Sequence, residues 1–150
     1  MTKSILALIA LATSAYAQNA VIASPSAGST LRKGQSFTVE IARPEFPAPS
    51  KDVSVVIGLQ TCVLTDGSNS TDCSVLTQTF GFLLYSGDYT PTGHPDAPQG
   101  TFEDYQNFTF TVPTNIPTGQ AQVKAAHLYL TGAGFIPVLE QFNVTVNVVN

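Results

Sequence analysis

Apolar and polar side chains alternate along most of this chain. Residues 36–41, 107–112 and 142–148 place apolar side chains at every second position, which is the period of a strand with one buried face. Turn-forming Gly, Pro, Asp and Ser separate the apolar runs. Runs rich in Val, Ile, Phe and Thr predict four further strands, at residues 20–23, 53–61, 78–85 and 120–130. The pattern predicts an all-β fold, an antiparallel immunoglobulin-like β-sandwich of about seven strands.

Residues 120–130 depart from simple alternation. Val123 and Ala125 alternate with Ala126 and Leu128, so both faces of this strand are partly apolar. Such a strand belongs in the middle of a sheet, or beneath a covering element or a second subunit. We therefore predict that this strand is central or covered.

The N-terminus has the pattern of a secretory signal peptide. Lys3 precedes a short apolar run, and Ala15-Tyr16-Ala17 then supplies small side chains at the cleavage positions. The run is too short to cross about 30 Å of hydrocarbon. The predicted organisation is a signal peptide, residues 1–17, followed by a single secreted β-sandwich domain, residues 18–150.

Charge and cysteine content narrow the class of protein. Without Lys3 the chain has five basic and ten acidic residues, a net charge near −5, which argues against nucleic acid or an anionic membrane as a partner. Cys62 and Cys73 are the only two cysteines, and in an oxidising compartment they predict a disulfide. A metal site would need further ligands at defined spacing, so no metal and no cofactor are expected.

Three Asn-x-Ser/Thr sequons predict N-glycosylation, at Asn69, Asn107 and Asn143. Asn107 and Asn143 are in register with the polar faces of their strands, and Asn69 lies in the turn-rich segment between the cysteines. All three side chains are expected to face water, and glycosylation of at least one of them is predicted.

Catalytic residues are hard to assemble from this sequence. His94 and His127 are the two histidines, and no Gly-x-Ser-x-Gly motif accompanies them. His127 is in line with apolar positions of its strand and is interpreted as an interior histidine satisfied by hydrogen bonds. Glu103 and Asp104 are adjacent and point in opposite directions on an extended chain, and no Trp is present to stack on a sugar. We expect no catalytic residues and no enzymatic activity, with a glycan-active hydrolase as the less favoured alternative.

Two segments fall outside the alternating pattern. Residues 43–50 contain three prolines and are expected to form an extended loop. Residues 86–104 are rich in Gly and Pro, and a loop of this length is uncommon unless it has a function or is disordered. It contains Tyr89, His94 and Phe102, which the alternation does not explain, and these three are the candidate partner-binding residues. The alternative is that Tyr89 and Phe102 fold back and cover the edge of the sandwich.

Short motifs in the second half of the chain carry a family resemblance. Val112-Pro-Thr-Asn-Ile-Pro-Thr-Gly119, Ala125-Ala-His-Leu-Tyr-Leu-Thr-Gly-Ala133 and the terminal Phe142-Asn-Val-Thr-Val146 resemble the necrosis-inducing secreted effector family of filamentous fungi. Phe82-Leu-Leu-Tyr-Ser-Gly87 and Tyr105-Gln-Asn-Phe-Thr-Phe110 are similar to its mushroom branch, which includes small immunomodulatory glycoproteins of bracket fungi.

The resemblance implies a secreted fungal glycoprotein that acts by binding and is effector-like or immunomodulatory toward host immune signalling. The implied partner is a host cell-surface or immune-receptor-associated protein, with a glycan or a second copy of the chain as further options. Residues 24–39 also resemble the opening of fungal cell-wall proteins. A cell-wall or glucan-associated structural protein is therefore the alternative function.

Overall fold

The computed structural model describes residues 20–44, 49–62, 73, 79–94, 96 and 104–150. The predicted signal peptide lies outside these residues. No helix in the described part of the chain is long and apolar enough to cross a membrane. The described residues form nine β-strands: β1 (Val21–Ser24), β2 (Thr30–Arg32), β3 (Ser36–Arg43), β4 (Ser50–Thr61), β5 (Phe82–Asp88), β6 (Thr92–Gly93), β7 (Asp104–Thr111), β8 (Gly119–Thr131) and β9 (Ile136–Val149).

The strands form two sheets that share one core, which confirms the predicted β-sandwich. One sheet has the strand order β1-β3-β7-β6, and the other has the order β2-β9-β8-β4-β5. All neighbouring strands are antiparallel except β2 and β9, which run parallel. The second sheet is therefore mixed rather than antiparallel throughout, because the chain changes sheets between β1 and β2 and meets β9 in the same direction.

Alternate side chains of β4 and β8 fill the core. Val55, Ile57 and Leu59 of β4 and Val123 and Ala125 of β8 are each at most 1% exposed. Full burial of a Val, Ile or Leu side chain contributes about 1.5–3 kcal/mol. β8 lies in the middle of the five-stranded sheet and pairs with β4 and β9 along its length, so the prediction of a central strand is confirmed.

Besides the unpredicted strand β2 and small shifts at strand ends, two differences from the predicted strands have a clear physical reason. β9 begins at Ile136 rather than at residue 142, because Glu140 faces inward and interrupts the apolar alternation that predicted the strand. The predicted loop 86–104 is shorter than expected, since β5 continues to Asp88 and β6 lies within the segment. β5 pairs with β4 and β6 pairs with β7 through backbone hydrogen bonds. Pairing between distant segments leaves no local pattern in the sequence, so these strand residues could not be predicted from it.

The predicted disulfide is confirmed. Cys62 and Cys73 are 1% and 5% exposed, and a disulfide joins them with their Cα atoms 5.0 Å apart, within the usual range for a bridge. In the chain-entropy model, a closed loop of this size stabilises the fold by about 3 kcal/mol. Asn69 and the whole segment between the cysteines, residues 63–72, lie outside the described residues.

A close backbone approach at Gly58 generates a test of the sheet packing. A Cβ atom at this position would overlap the carbonyl oxygen of Phe80 and lie 2.8 Å from its Cβ. We therefore expect Gly58→Ala to lower the free energy of unfolding by about 1–3 kcal/mol, measured by urea-induced unfolding. A Cβ at Gly93 would meet nothing within 4 Å, so Gly93→Ala is the control and should change stability by less than about 0.5 kcal/mol. Equal stability of the two variants would contradict the close approach.

Candidate functional site

A buried histidine lies on β8 of the β8–β9 hairpin, four residues before the end of the strand. His127 is 0% exposed and is paired in register with Glu140 on β9. Its Nδ1 lies 2.8 Å from Glu140 Oε1, and its Nε2 lies 3.0 Å from Asp52 Oδ1. An irregularity in β4 between Asp52 and Ser54 shifts the alternation there, as β-bulges do. The predicted interior position of His127 is confirmed; Nδ1 is hydrogen-bonded to Glu140, and Nε2 lies at ion-pair distance from Asp52.

The two carboxylates determine the charge of His127. Ionised carboxylates only accept hydrogen bonds, and a neutral imidazole has a single N–H, so two carboxylate neighbours favour the doubly protonated ring. Burial of the ring opposes protonation, but the contacts with Asp52 and Glu140 and their negative charges outweigh it and raise the pKa of His127 above its ordinary value. The contacts with Asp52 and Glu140 therefore favour the imidazolium form of the buried ring.

Arg43 extends this ion pairing across the sandwich. Its Nε lies 3.0 Å from Asp52 Oδ2, and its terminal nitrogen NH2 lies 2.8 Å from Asp104 Oδ2. Arg43 and Asp104 belong to the four-stranded sheet, where they are cross-strand partners, whereas Asp52 belongs to the other sheet. We call Arg43, Asp52, Asp104, His127 and Glu140 the ion network. With His127 protonated it contains two positive and three negative charges.

Two tyrosines pack on the buried imidazole. The Tyr89 ring meets it edge-on at a centroid distance of 4.9 Å, and the Tyr129 ring stacks on it at 5.2 Å. The Tyr89 hydroxyl donates a hydrogen bond to the carbonyl oxygen of Ile41 at 3.1 Å. Burial first, and then the charge of Asp52, raise the pKa of Tyr89. These tyrosines keep water away from the ion network.

The position of Tyr89 corrects one expectation. Tyr89 is 1% exposed, so its ring does not face a partner, and the alternative that it folds back on the sandwich describes its place. The sequence did not show this because Tyr89 follows the end of β5 and occupies no alternating position. His94 is half-buried, with its ring 4.6 Å from that of Tyr105, and Phe102 lies outside the described residues. Tyr89 and His94 contact different aromatic neighbours and form no common surface.

The predicted glycosylation sites differ in what the structure describes. Asn107 and Asn143 are exposed, as the alternation of their strands predicts. Asn69 lies outside the described residues. Glycosylation of all three remains a prediction.

Three exposed large apolar side chains lie at or near the turn of the same β8–β9 hairpin. Phe135, Ile136 and Leu139 are 62%, 62% and 63% exposed. Phe135 also has a φ of 50°, in the left-handed region that large side chains rarely adopt. We call these three residues the hairpin patch. Sequence reasoning missed it, although large apolar residues directly after the Gly132-Ala-Gly134 turn were a usable signal.

The ion network supports the strands that carry this patch. Glu140 follows Leu139 directly on β9, and His127 precedes the end of β8 by four residues, which is about 13 Å of strand. At the turn, the Gly132 amide donates to the Pro49 carbonyl at 2.9 Å, and the Phe135 amide donates to the Gly132 carbonyl at 3.2 Å. The base of the hairpin is therefore fixed in the core while its tip faces solvent. Among the residues that the structure describes, no group of three or more His, Cys, Asp or Glu is arranged to hold a metal ion.

The fold and the disulfide are those of a small β-sandwich stabilised by a cysteine bridge. The chain belongs to the Nis1 family of necrosis-inducing secreted effectors, whose family model matches residues 18–147. The effector resemblance is thereby confirmed, and the family is a secreted one; the mushroom branch remains a prediction. The match begins directly after the predicted cleavage site.

Structural comparison gives a more distant likeness. A superoxide reductase (neelaredoxin) of Ignicoccus hospitalis is 10% identical, with a TM-score of 0.43 over 86% of this chain and 80% of that chain. The comparison with curated protein sequences gives no match.

The charge of His127 makes the stability of the fold depend on pH. The unfolded chain has a histidine pKa of about 6.5, and Asp52 and Glu140 raise the folded value. The stabilisation is fully present below the unfolded pKa and is lost as pH rises through the folded pKa, at about 1.4 kcal/mol for each unit of difference. We expect urea-induced unfolding to show this decline as pH rises above the unfolded value of about 6.5.

Two histidine variants test the assignment. His127→Gln should remove the decline in stability, in addition to a loss of about 3–5 kcal/mol because Asp52 and Glu140 lose their charged His127 partner. His94→Gln should retain the decline, because His94 has no described carboxylate partner at ion-pair distance. A decline that survives in His127→Gln would show that another group titrates.

Proposed function

We propose that this Nis1-family protein acts outside the cell by binding a host protein associated with cell-surface or immune-receptor signalling. It does so without catalysing a reaction and uses the hairpin patch as its contact surface. Family membership supports secretion and an effector role. The disulfide between Cys62 and Cys73 suits an oxidising extracellular medium.

The single observation that carries the proposal is the conformation of Phe135. A large aromatic side chain here is 62% exposed and has a φ of 50°. Its left-handed backbone costs about 1–3 kcal/mol, and strain of this kind clusters at functional sites. Exposure of the ring gives the folded monomer no compensating burial. Binding to a partner supplies a reason for a Phe at a position that Gly would occupy without strain.

The surroundings of Phe135 define the chemistry of the partner. Residues 132–139 contain no charged side chain, and Ile136 and Leu139 add exposed apolar area on the two opposite faces of β9 next to the turn. Exposed apolar clusters mark protein contact sites, and aromatic anchors dominate their binding energy. The partner therefore has an uncharged apolar pocket that accepts the Phe135 ring. Because the ion network holds the base of the hairpin, little chain ordering opposes binding.

The histidines support a role without catalysis. His127 is fully buried, and both of its ring nitrogens face carboxylates, so neither is available to take a proton from a substrate. His94 Nδ1 accepts a hydrogen bond from the Asp96 amide at 3.3 Å, and its ring packs on Tyr105. Among the described residues, neither histidine lies beside an exposed nucleophile that it could activate as a general base.

Phe135→Gly tests the contact surface. The substitution removes the anchor and relaxes the left-handed backbone, so we expect binding to weaken at least about tenfold while the free energy of unfolding stays equal or rises by about 1 kcal/mol. Binding is measured as saturable attachment of the fluorescently labelled mature protein to host immune cells, and stability by urea-induced unfolding. A gain in stability with a loss of binding is the signature of strain retained for function.

A matched control variant and binding measurements on three materials, namely protease-treated cells, lipid vesicles and insoluble glucan, separate the possible outcomes. Leu83→Ala removes a side chain that is 62% exposed on β5, outside the hairpin, and should bind like the unaltered protein. Mild protease treatment of the cells should abolish binding if the receptor is a protein. Equal binding of Phe135→Gly and the unaltered protein would overturn the hairpin assignment. Binding to protein-free phosphatidylcholine vesicles would indicate a membrane contact, and retention on insoluble glucan would favour the cell-wall alternative.

A further inference from the structure

The outer face of β7 places three chemically distinct side chains in one row. Tyr105, Asn107 and Thr109 occupy alternate positions of the strand, while the intervening Phe108 and Phe110 pack in or against the core. Asn107 and Thr109 are exposed, and Tyr105 is half-buried. Alternate residues on a strand point to the same side and lie about 6.6–6.8 Å apart. Asn107 therefore has an aromatic ring on one side and a threonine methyl on the other.

The Tyr105 ring is held in place by its neighbours. The His94 ring lies against it with a centroid distance of 4.6 Å and an interplanar angle of 50°. Ala42 on β3 and Thr92 on β6 are its cross-strand partners. These neighbours restrict the rotation of the Tyr105 side chain, so its ring presents a fixed face.

We propose that Asn107 carries an N-linked glycan whose first N-acetylglucosamine packs on the Tyr105 ring. Sugar rings expose C–H groups on one face, and the face of an aromatic ring carries the negative end of its quadrupole, so the two faces attract each other. Contact also removes apolar area of both rings from water. Asn107 is both a sequon asparagine and a neighbour of this ring, and the proposal requires only secretion, not the host-binding function.

The attachment is an ordinary group transfer. The Asn107 side-chain nitrogen forms a bond to C1 of the sugar, and the bond from that carbon to the pyrophosphate of a lipid-linked oligosaccharide breaks. The amide loses one proton, and the lipid pyrophosphate leaves. The Asn-x-Thr motif that the transfer requires is completed by Thr109.

A glycan on Asn107 would also protect the open edge of β7 from pairing with another chain. β6 pairs with β7 only at Asp104 and Tyr105, so in the described part of the chain the backbone of β7 beyond Tyr105 has no strand on its outer side. Unpaired strand edges are sites of association between chains. A glycan packed against Tyr105 stands beside this edge and blocks the approach of a second strand.

The chain contains its own control for the aromatic contact. Asn143 on β9 is an exposed sequon asparagine like Asn107, and Thr145 corresponds to Thr109. The residue two positions before it is Gln141, where Asn107 has Tyr105. Phe142 packs against the core, so a glycan at Asn143 has no aromatic ring two positions before it on the same face of β9, and its effect on stability should not depend on Tyr105.

The test is a thermal-unfolding cycle on the full chain secreted from yeast. Intact-mass spectrometry should first show a glycan on Asn107. We expect Asn107→Gln to lower the melting temperature by about 2–5 °C in the natural sequence and by less than half as much in a Tyr105→Thr background. Asn143→Gln should have the same effect in both backgrounds. The loss of packing caused by Tyr105→Thr itself is common to both glycoforms and cancels in the comparison.

A second measurement keeps the test decisive if Tyr105→Thr does not fold. After trimming to a single sugar, the ring protons of the sugar on Asn107 should be shifted upfield in the NMR spectrum by the Tyr105 ring, relative to those of the sugar on Asn143 or of a free glycosyl-asparagine. An unmodified Asn107, an equal temperature loss in both backgrounds or an unshifted sugar spectrum would each overturn the proposal.

Discussion

The pairing of His127 with Asp52 and Glu140 is the interaction on which this end of the sandwich depends. Burial of an ion costs several kcal/mol, and only close opposite charges offset that cost. Because each ring nitrogen of His127 has its own carboxylate, the β4, β8 and β9 strands must keep one register. Arg43 then connects Asp52 to the opposite sheet. Loss of Asp52 or His127 removes two of these contacts at once, so we infer that the network specifies geometry more than it adds stability.

This constraint explains how a small protein can present a strained, apolar hairpin tip. Phe135 and its neighbours give no core packing in return for their exposure. The strain is tolerated because the residues below the tip are over-determined by the paired charges and by the flanking Tyr89 and Tyr129 rings. Rigid support also reduces the entropy that a binding surface loses on association. The polar residues of the ion network thus fix the strands that carry the exposed apolar side chains of the hairpin patch.

Much of the fold could be predicted from the sequence because it follows from local alternation. The central position of β8 followed from apolar residues on both of its faces, and the interior place of His127 followed from its alignment with Val123 and Ala125. The ion network could not be predicted, since its partners come from five strands and depend on pairing distant in sequence. The start of β9 was also not predicted, because Glu140 faces the network from an inward position and interrupts the apolar alternation of the strand. Phe135 was missed because periodicity contains no information about backbone strain.

The two sequons on the broad faces of the sandwich favour the hairpin end as the contact surface. Asn107 is on the outer face of the four-stranded sheet, and Asn143, paired with Lys124, is on that of the other. Asn143 lies four residues from Leu139, or about 13 Å along β9. With sugars at both positions, each broad face would be obstructed for a large partner, including the face of β9 that Leu139 shares with Asn143, while Phe135 at the turn would stay open. Strand alternation points Asn107 and Asn143 outward on the broad faces, so their glycans would project away from Phe135 at the turn.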